Sequence, residues 1–365
     1  MTARLPEVAG VLSAAEVART AAALAEVQQP DGGSPWAVGE HIDAWNHVES
    51  AMALLVGGQT EAAEAAYDWC LRSQRADGSW PMKVVGTDVE DASGDANMTA
   101  YLAVGAWHHW LVARDRRAVR RLWPAVRSAL DWVVGLQLPF GGIAWSVDPA
   151  GLARQEALLA GSASIYSSLR AGLALAALVG EPQPEWELAA GRLAHAVAAH
   201  RDWFEDKSTF SMDWYYPVLG GPVRGEPARA RLEERWDDFV VDGWGCRCVD
   251  TNPWVTGAET CELVLALDNV GDAERATALF AAMQHSRHES GLYWTGYVFD
   301  EQVFWPGEQT TYTSAAVILA ADALSRTTAA SGIFRGDGLA PGPRPLALEC
   351  GCPAGREAMR AVNER

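Results

Sequence analysis

The feature that most constrains the fold of this chain is a degenerate internal repeat, in which helical stretches alternate with loops rich in glycine and tryptophan. One set of stretches is amphipathic and charged: Ala14–Gln28, Glu61–Ser73, Arg117–Leu136, Glu185–Trp203 and Asp272–His285. In Arg117–Leu136, Leu122, Val126, Leu130 and Val133 share one face at helical spacing, which predicts an outer layer with one stripe turned inward. A second set is far more apolar and rich in alanine, glycine and serine: Trp45–Val56, Thr99–Val112, Ile165–Val179, Glu259–Leu267 and Thr311–Leu324. Apolarity on most sides predicts burial on most sides, so these form the inner layer.

Each inner stretch leads to the next outer one through a short turn such as Gly57-Gly58-Gln59-Thr60, whereas each outer stretch leads to the next inner one through a long loop. That asymmetry predicts an all-α ring of antiparallel hairpins, an α/α toroid, with short turns at one end and long loops at the other. Long loops in compact domains usually carry function, which puts the site at the long-loop end, at the inner-helix N-termini. The repeat supplies five hairpins, leaving five or six pairs open. Phe210–Asp250 lacks clean periodicity and is expected to cap the mouth. Residues 1–326 are expected to make the toroid. Residues 327–365 form a Gly/Pro-rich tail with a helical candidate at Arg356–Val362.

Composition narrows the partners. A net charge of -18, from 29 basic and 47 acidic residues, repels nucleic acid and anionic lipid. The N-terminus shows no signal-peptide pattern, and the apolar run Leu173–Val179 ends at Gly180 and reads as a core helix. The six cysteines show no disulfide framework, so a cytoplasmic location is expected. Cys246 and Cys248, and likewise Cys350 and Cys352, form Cys-x-Cys pairs, read as reduced cysteines with no metal.

The long loops share a pattern. Gln74-Arg75-Ala76-Asp77-Gly78-Ser79-Trp80 runs glutamine, three residues, glycine, one residue, tryptophan. Gln29 to Trp36 repeats it with one insertion, Gln137 through Gly141 to Trp145 is looser, and Gln284 through Gly291 to Trp294 looser still. Asp-Gly makes a tight turn, glutamine can bond free backbone groups at the helix end, and the indole pins the turn. This pattern resembles the glutamine–tryptophan repeat of triterpene cyclases and the related repeats of the terpenoid cyclase and protein prenyltransferase superfamily, over roughly residues 14 to 325.

The resemblance implies an enzyme acting on an isoprenoid in a central cavity, with no cofactor expected unless a diphosphate substrate brings Mg2+. The superfamily's motifs are degraded here. Asp88-Val89-Glu90-Asp91 and Asp95-Ala96-Asn97-Met98 approach the cyclase Asp-x-Asp-Asp motif, making Glu90 and Asp95 the acid candidates, although an asparagine occupies the acid position of the second. The zinc-site segment of prenyltransferases corresponds to Asp250-Thr251-Asn252, with asparagine in place of the thiolate.

Polar and aromatic residues recur at the inner-helix starts: Asp43, Trp45, Asn46 and Glu49; Asp95, Asn97 and Tyr101; Tyr166; Trp214; Asp250, Asn252 and Trp254; Trp305, Glu308 and Tyr312. If the ring closes, these meet at one mouth. Helix capping accounts for Asp43, Asp95 and Asp250 equally well. Opposed carboxylates beside tryptophan platforms also suit glycosidic hydrolysis, the alternative reading. Under it, Gly307-Glu308-Gln309 loosely resembles the catalytic-base region of glucoamylase-type hydrolases, with Glu308 as base and Asp43 or Asp250 as acid. A non-catalytic ligand-binding toroid is the third reading. Two of the three are enzymes, so catalysis is favoured.

Overall fold

The computed structural model describes residues 4–342 and 352. It is an α/α toroid, and among these residues the ring has six outer–inner pairs. They are α1 (Ala14–Val27) with α2 (Ala44–Val56), and α3 (Thr60–Ser73) with a two-part inner helix, α4 (Ala96–Ala100) and α5 (Leu102–Ala113). Next come α6 (Arg116–Val134) with α7 (Leu159–Val179), and α8 (Pro184–Ala199) with α9 (Ser211–Leu219). After α10 (Glu226–Glu234) and the short α11 (Trp236–Phe239) comes α12 (Gly257–Asn269), and α13 (Ala273–Ala282) pairs with α14 (Thr311–Ser325). Each inner helix packs on the next, and α14 packs back on α2, closing the ring.

The two helices that raise the ring from five pairs to six, one from the fourth pair and one from the fifth, lie inside the segment expected to be a mouth cap. Phe210–Asp250 contains inner helix α9 and outer helix α10, each of nine residues. Both are too short for a repeating stripe, and α9 carries Pro217 in its interior, so periodicity gave no signal. Tertiary packing makes the helix instead: Trp214, Tyr215, Tyr216, Val218 and Leu219 are all buried.

Inner and outer helices differ in burial as expected. Every residue of α2 except Trp45 is buried, whereas α6 buries a single stripe that includes Leu122, Val126, Leu130 and Val133. Fully burying one such aliphatic side chain stabilises the fold by roughly 1.5–3 kcal/mol. Helix α7 is long and apolar enough to cross a membrane, yet 78% of its most apolar window is buried between its neighbours in the ring.

The long loops carry small antiparallel sheets that the apolar patterning did not reveal. β1 (Lys83–Val85) pairs with β2 (Asp88–Asp91), and β3 (Gly94–Asp95) with β4 (Ser146–Val147). Five strands form a larger sheet in chain order: β5 (Val240–Val241), β6 (Gly245–Arg247), β7 (Trp254–Thr256), β8 (Trp294–Val298) and β9 (Val303–Gln309).

The recurring loop motif joins neighbouring outer helices. The Gln74 and Gln137 amides, and in the first copy Gln28 instead of the expected Gln29, each donate to the carbonyl of their own turn glycine (Gly78, Gly141 and Gly32). Each also donates to a carbonyl on the next outer helix, from Ala125, Ala189 and Ala62 respectively. Gly78 sits at φ +97, where a Cβ would collide with the Ser128 carbonyl of α6, so glycine is required twice over. The loosest copy closes the circle, since the Gly291 carbonyl accepts from Thr20 on α1. As anticipated, the Trp80 indole pins its turn by donating to the Cys70 carbonyl at 3.1 Å.

At the short-turn end the described part of the tail lies across the ring. Arg335 bonds Asp268 at 2.6 Å, and the Asn269 amide donates to the Phe334 carbonyl at 3.0 Å. The helical candidate Arg356–Val362 lies outside the described residues.

Candidate active site

The long-loop mouth opens into a cleft of about 580 Å³ whose walls include Trp45, Asp95, Asn97, Trp145, Met212 and Tyr216. The inner helices begin here, so Asp43 and Asp95 both act as N-caps. Asp43 accepts from the backbone N–H groups of Trp45 and Asn46 at 3.0 and 2.9 Å and from the Asn46 amide. Asp95 accepts from the Met98 N–H at 2.8 Å. Capping does not exhaust Asp95, because the residue also lines the cleft and only its Oδ1 serves the Met98 N–H. Desolvation there pushes it up to about 6, against the pull of the Met98 and Asn97 N–H groups and with a push from the charge of nearby Asp43. Burial likewise raises Asp43.

Below the cleft lies a second, narrower cavity lined by Glu49, Tyr101, Tyr216, Glu262 and Phe334, with Tyr216 shared between the two. Its carboxylates are tied to phenols. Tyr101 donates to Glu49 at 2.8 Å, while Tyr215, Tyr216 and Tyr312 all donate to Glu262, the last two at 2.6 and 2.7 Å. Desolvation pushes Glu49 up to about 7. It pushes Glu262 up to about 8, offset in part by the phenol hydrogen bonds and reinforced by the charges of Glu49 and Glu259. At neutral pH Glu262 is therefore mostly protonated and Glu49 divides between its two forms.

Glu308 is on β9 at the rim, where its Oε1 accepts from the Trp36 indole at 3.0 Å. The Trp36 ring stacks on His41 and also meets Tyr312, which packs on Trp45. Glu308 thus belongs to the aromatic wall on the α2–α14 side. A further groove on the rim, about 590 Å³, is lined by Asn252, Pro253, Trp254, Val298, Glu301 and Trp305.

Of the residues singled out from the sequence, Trp45, Asp95 and Asn97 line the cleft, Asn46 braces Asp43, and Glu49, Tyr101 and Tyr312 contribute to the acidic interior. Asn252, Trp254 and Trp305 form the rim groove. Four others lie elsewhere. Glu90 is exposed on the β1–β2 hairpin. Asp250 is paired with Arg235 at 2.8 Å, which uses its charge structurally. Tyr166 packs beside Arg170, whose guanidinium donates to the Ala340 carbonyl under the tail. Trp214 donates to the Arg231 carbonyl and stacks on Phe239, outside the cleft. Sequence reasoning passed over Glu262 and Tyr216. A signal for the first existed, since Glu262 is the one charge within the apolar run Thr260–Leu267 of an inner helix.

No family model matches the chain. A relative from Mycolicibacterium hassiacum, the MMP endo-(1,4)-3-O-methyl-alpha-D-mannosidase, is 58% identical over 348 residues, covering 95% of this chain and 96% of that protein. The chain belongs to this mannosidase family. It is accordingly an enzyme, and the cyclase and prenyltransferase kinship suggested by the loop repeat is overturned, together with the isoprenoid substrate.

Solved structures agree on the fold. A glycosidase in complex with glucose superposes with a TM-score of 0.67 at 17% identity, covering 85% of this chain and 96% of that one. A D-mannose isomerase gives 0.63 at 10% identity, covering 86% and 97%. A rhamnosidase from Klebsiella oxytoca with rhamnose bound gives 0.62 at 15%, covering 86% of this chain and 63% of that one. The physical reason for the mistaken kinship is now visible. A glutamine–glycine–tryptophan clasp solves a problem posed by any ring of helical hairpins, the joining of successive outer helices, so it marks the architecture and not the chemistry.

Proposed function

We propose that the chain is an endo-acting glycoside hydrolase that cleaves (1→4)-linked 3-O-methyl-α-D-mannose chains in the cytoplasm. The observation that carries this reading is the 58% identity with the Mycolicibacterium hassiacum mannosidase over 95% of the chain. The geometry supports it in two ways. The cleft presents a protonatable carboxyl, Asp95, between the rings of Trp45, Trp145 and Tyr216. The rim groove adds Trp254 and the half-exposed Trp305, apolar faces suited to methyl ethers. A chain crossing such a rim is held on more than one sugar, as internal cleavage requires.

In this scheme Asp95 donates a proton to the glycosidic oxygen as the bond from C1 to that oxygen breaks. A water molecule adds to C1 and gives its proton to Glu308, which the Trp36 indole holds in place. Asp43 beside Asp95 opposes its ionisation and so favours the protonated donor. The scheme uses no cofactor.

The test is digestion of a (1→4)-linked 3-O-methyl-α-mannose oligosaccharide with product sizing by mass spectrometry. Early appearance of mid-length fragments is expected. Release of single sugars only, or no cleavage, would refute the endo-hydrolase reading.

A further inference from the structure

We propose that His195, His200 and Cys352 form a zinc site on the outer wall of the barrel, which fastens the C-terminal segment to the end of α8. The three residues come from two places far apart in the chain, and their ligating atoms all lie within 4.8 Å of one another. Both histidines are buried.

The local backbone explains how they meet. His195 and His200 are five residues apart, and at about 100° per residue an unbroken helix would point them about 140° away from each other. Helix α8 stops at Ala199, and His200 leaves it with φ -130 and ψ 42. That turn brings the His200 Nε2 to 3.1 Å from the His195 Nε2, with the two rings nearly perpendicular at 85°. The Trp203 indole stacks on His200 at 4.2 Å and fixes its plane. Cys352 then places its Sγ 3.5 Å from the same His195 nitrogen.

The two edges that meet at the His195 nitrogen, 3.1 and 3.5 Å, are close to those of a metal tetrahedron, and the third ligand pair lies within 4.8 Å. Zinc–nitrogen bonds of about 2.05 Å and zinc–sulfur bonds of about 2.3 Å put two nitrogens about 3.4 Å apart, and nitrogen and sulfur about 3.6 Å apart. Two imidazoles and a thiolate are a borderline-soft donor set, which selects zinc over magnesium or calcium. The reading of the Cys-x-Cys pairs as metal-free is revised for Cys352; Cys350 lies outside the described residues.

The site is remote from the cleft chemistry, and its role is to tie the tail to the loop that follows α8. That loop joins the cleft wall through the Glu205 N–H, which donates to the Ala157 carbonyl, one residue before Leu158 of the cleft. Metal binding therefore stabilises the folded chain without entering the reaction.

The experiment uses the full-length protein stripped with a chelator and reloaded with zinc or cobalt(II). One metal per chain by plasma mass spectrometry is expected, with a thiolate-to-cobalt charge-transfer band and the intense visible bands of tetrahedral cobalt. Cys352→Ser should abolish the charge-transfer band, and His195→Ala or His200→Ala should weaken zinc more than about tenfold, since even loss of an outer-shell partner of a ligand costs that much. Cys248→Ser should leave the spectrum intact. Zinc should raise the melting temperature of the wild type and not of Cys352→Ser. Failure of the wild type to take up either metal, or a charge-transfer band that survives in Cys352→Ser, would overturn the proposal and leave the three side chains as a hydrogen-bonded cluster.

Discussion

The clasps between outer helices sit at the long-loop end of the barrel and the acidic interior runs down from that mouth along the axis, and the two solve opposite problems. In the clasps, polar groups are fully used. The Gln74 amide serves two carbonyls, Gly78 fits where no side chain can, and nothing faces a ligand. In the interior, carboxyls are desolvated and shifted away from their ordinary range, to about 6 for Asp95, 7 for Glu49 and 8 for Glu262. The clasps make the ring; of the shifted carboxyls, Asp95 is the one at the mouth and the proposed proton donor. The same residue types therefore read alike in sequence and act differently in place.

The largest expected effects break this comparison on the side of the mouth. Glu308→Gln and Asp95→Asn should each lower kcat by about 10²–10⁴-fold, the usual share of a general acid or base. Asparagine caps a helix about as well as aspartate, so Asp95→Asn should melt at nearly the wild-type temperature. Loss of activity accompanied by a large drop in melting temperature would instead assign Asp95 to structure alone.

On the side of the clasps, Gly78→Ala should destabilise the fold by about 1–3 kcal/mol or more, through positive φ and collision with the Ser128 carbonyl. Gln74→Ala, which leaves two carbonyls without their donor, should cost about 1–3 kcal/mol. Both should retain wild-type kcat per folded molecule in denaturant-titrated preparations.

Glu262 gives a pH signature. Its folded pKa of about 8 lies above the ordinary 4.5, so the folded state binds the extra proton between those values. The stability this contributes is fully present below about pH 4.5 and is lost as pH rises through 8. Urea midpoints should therefore fall from pH 5 to pH 8.5, and Glu262→Gln should flatten that slope. The smallest effect is expected at the rim: Trp305→Ala should raise KM for long oligosaccharides severalfold and leave kcat nearly unchanged, since one stacking face contributes about 1 kcal/mol.

The fold was largely legible because burial on all sides and burial on one side write different patterns, as α2 and α6 show. The fourth inner helix was not, since nine residues with an internal proline leave no period to read. The family was misread because the clasp belongs to the ring. At the site, Asp95, Asn97 and Trp45 could be placed from their position at helix starts. The Asp250–Arg235 pair could not, because it joins residues brought together by the small sheet and α10. Nor could the three tyrosines on Glu262, which come from two inner helices, α9 and α14, that only ring closure brings to α12.

The account holds that protons are moved at the mouth by Asp95 and not along the axis by Glu262. The most direct test is the pH dependence of kcat/KM for oligosaccharide cleavage by the wild type and by Glu262→Gln. An alkaline limb near pH 6 that persists in Glu262→Gln is the result expected from the Asp95 carboxyl. A limb near pH 8 that vanishes in Glu262→Gln would move the acid to the buried carboxyl and contradict the account.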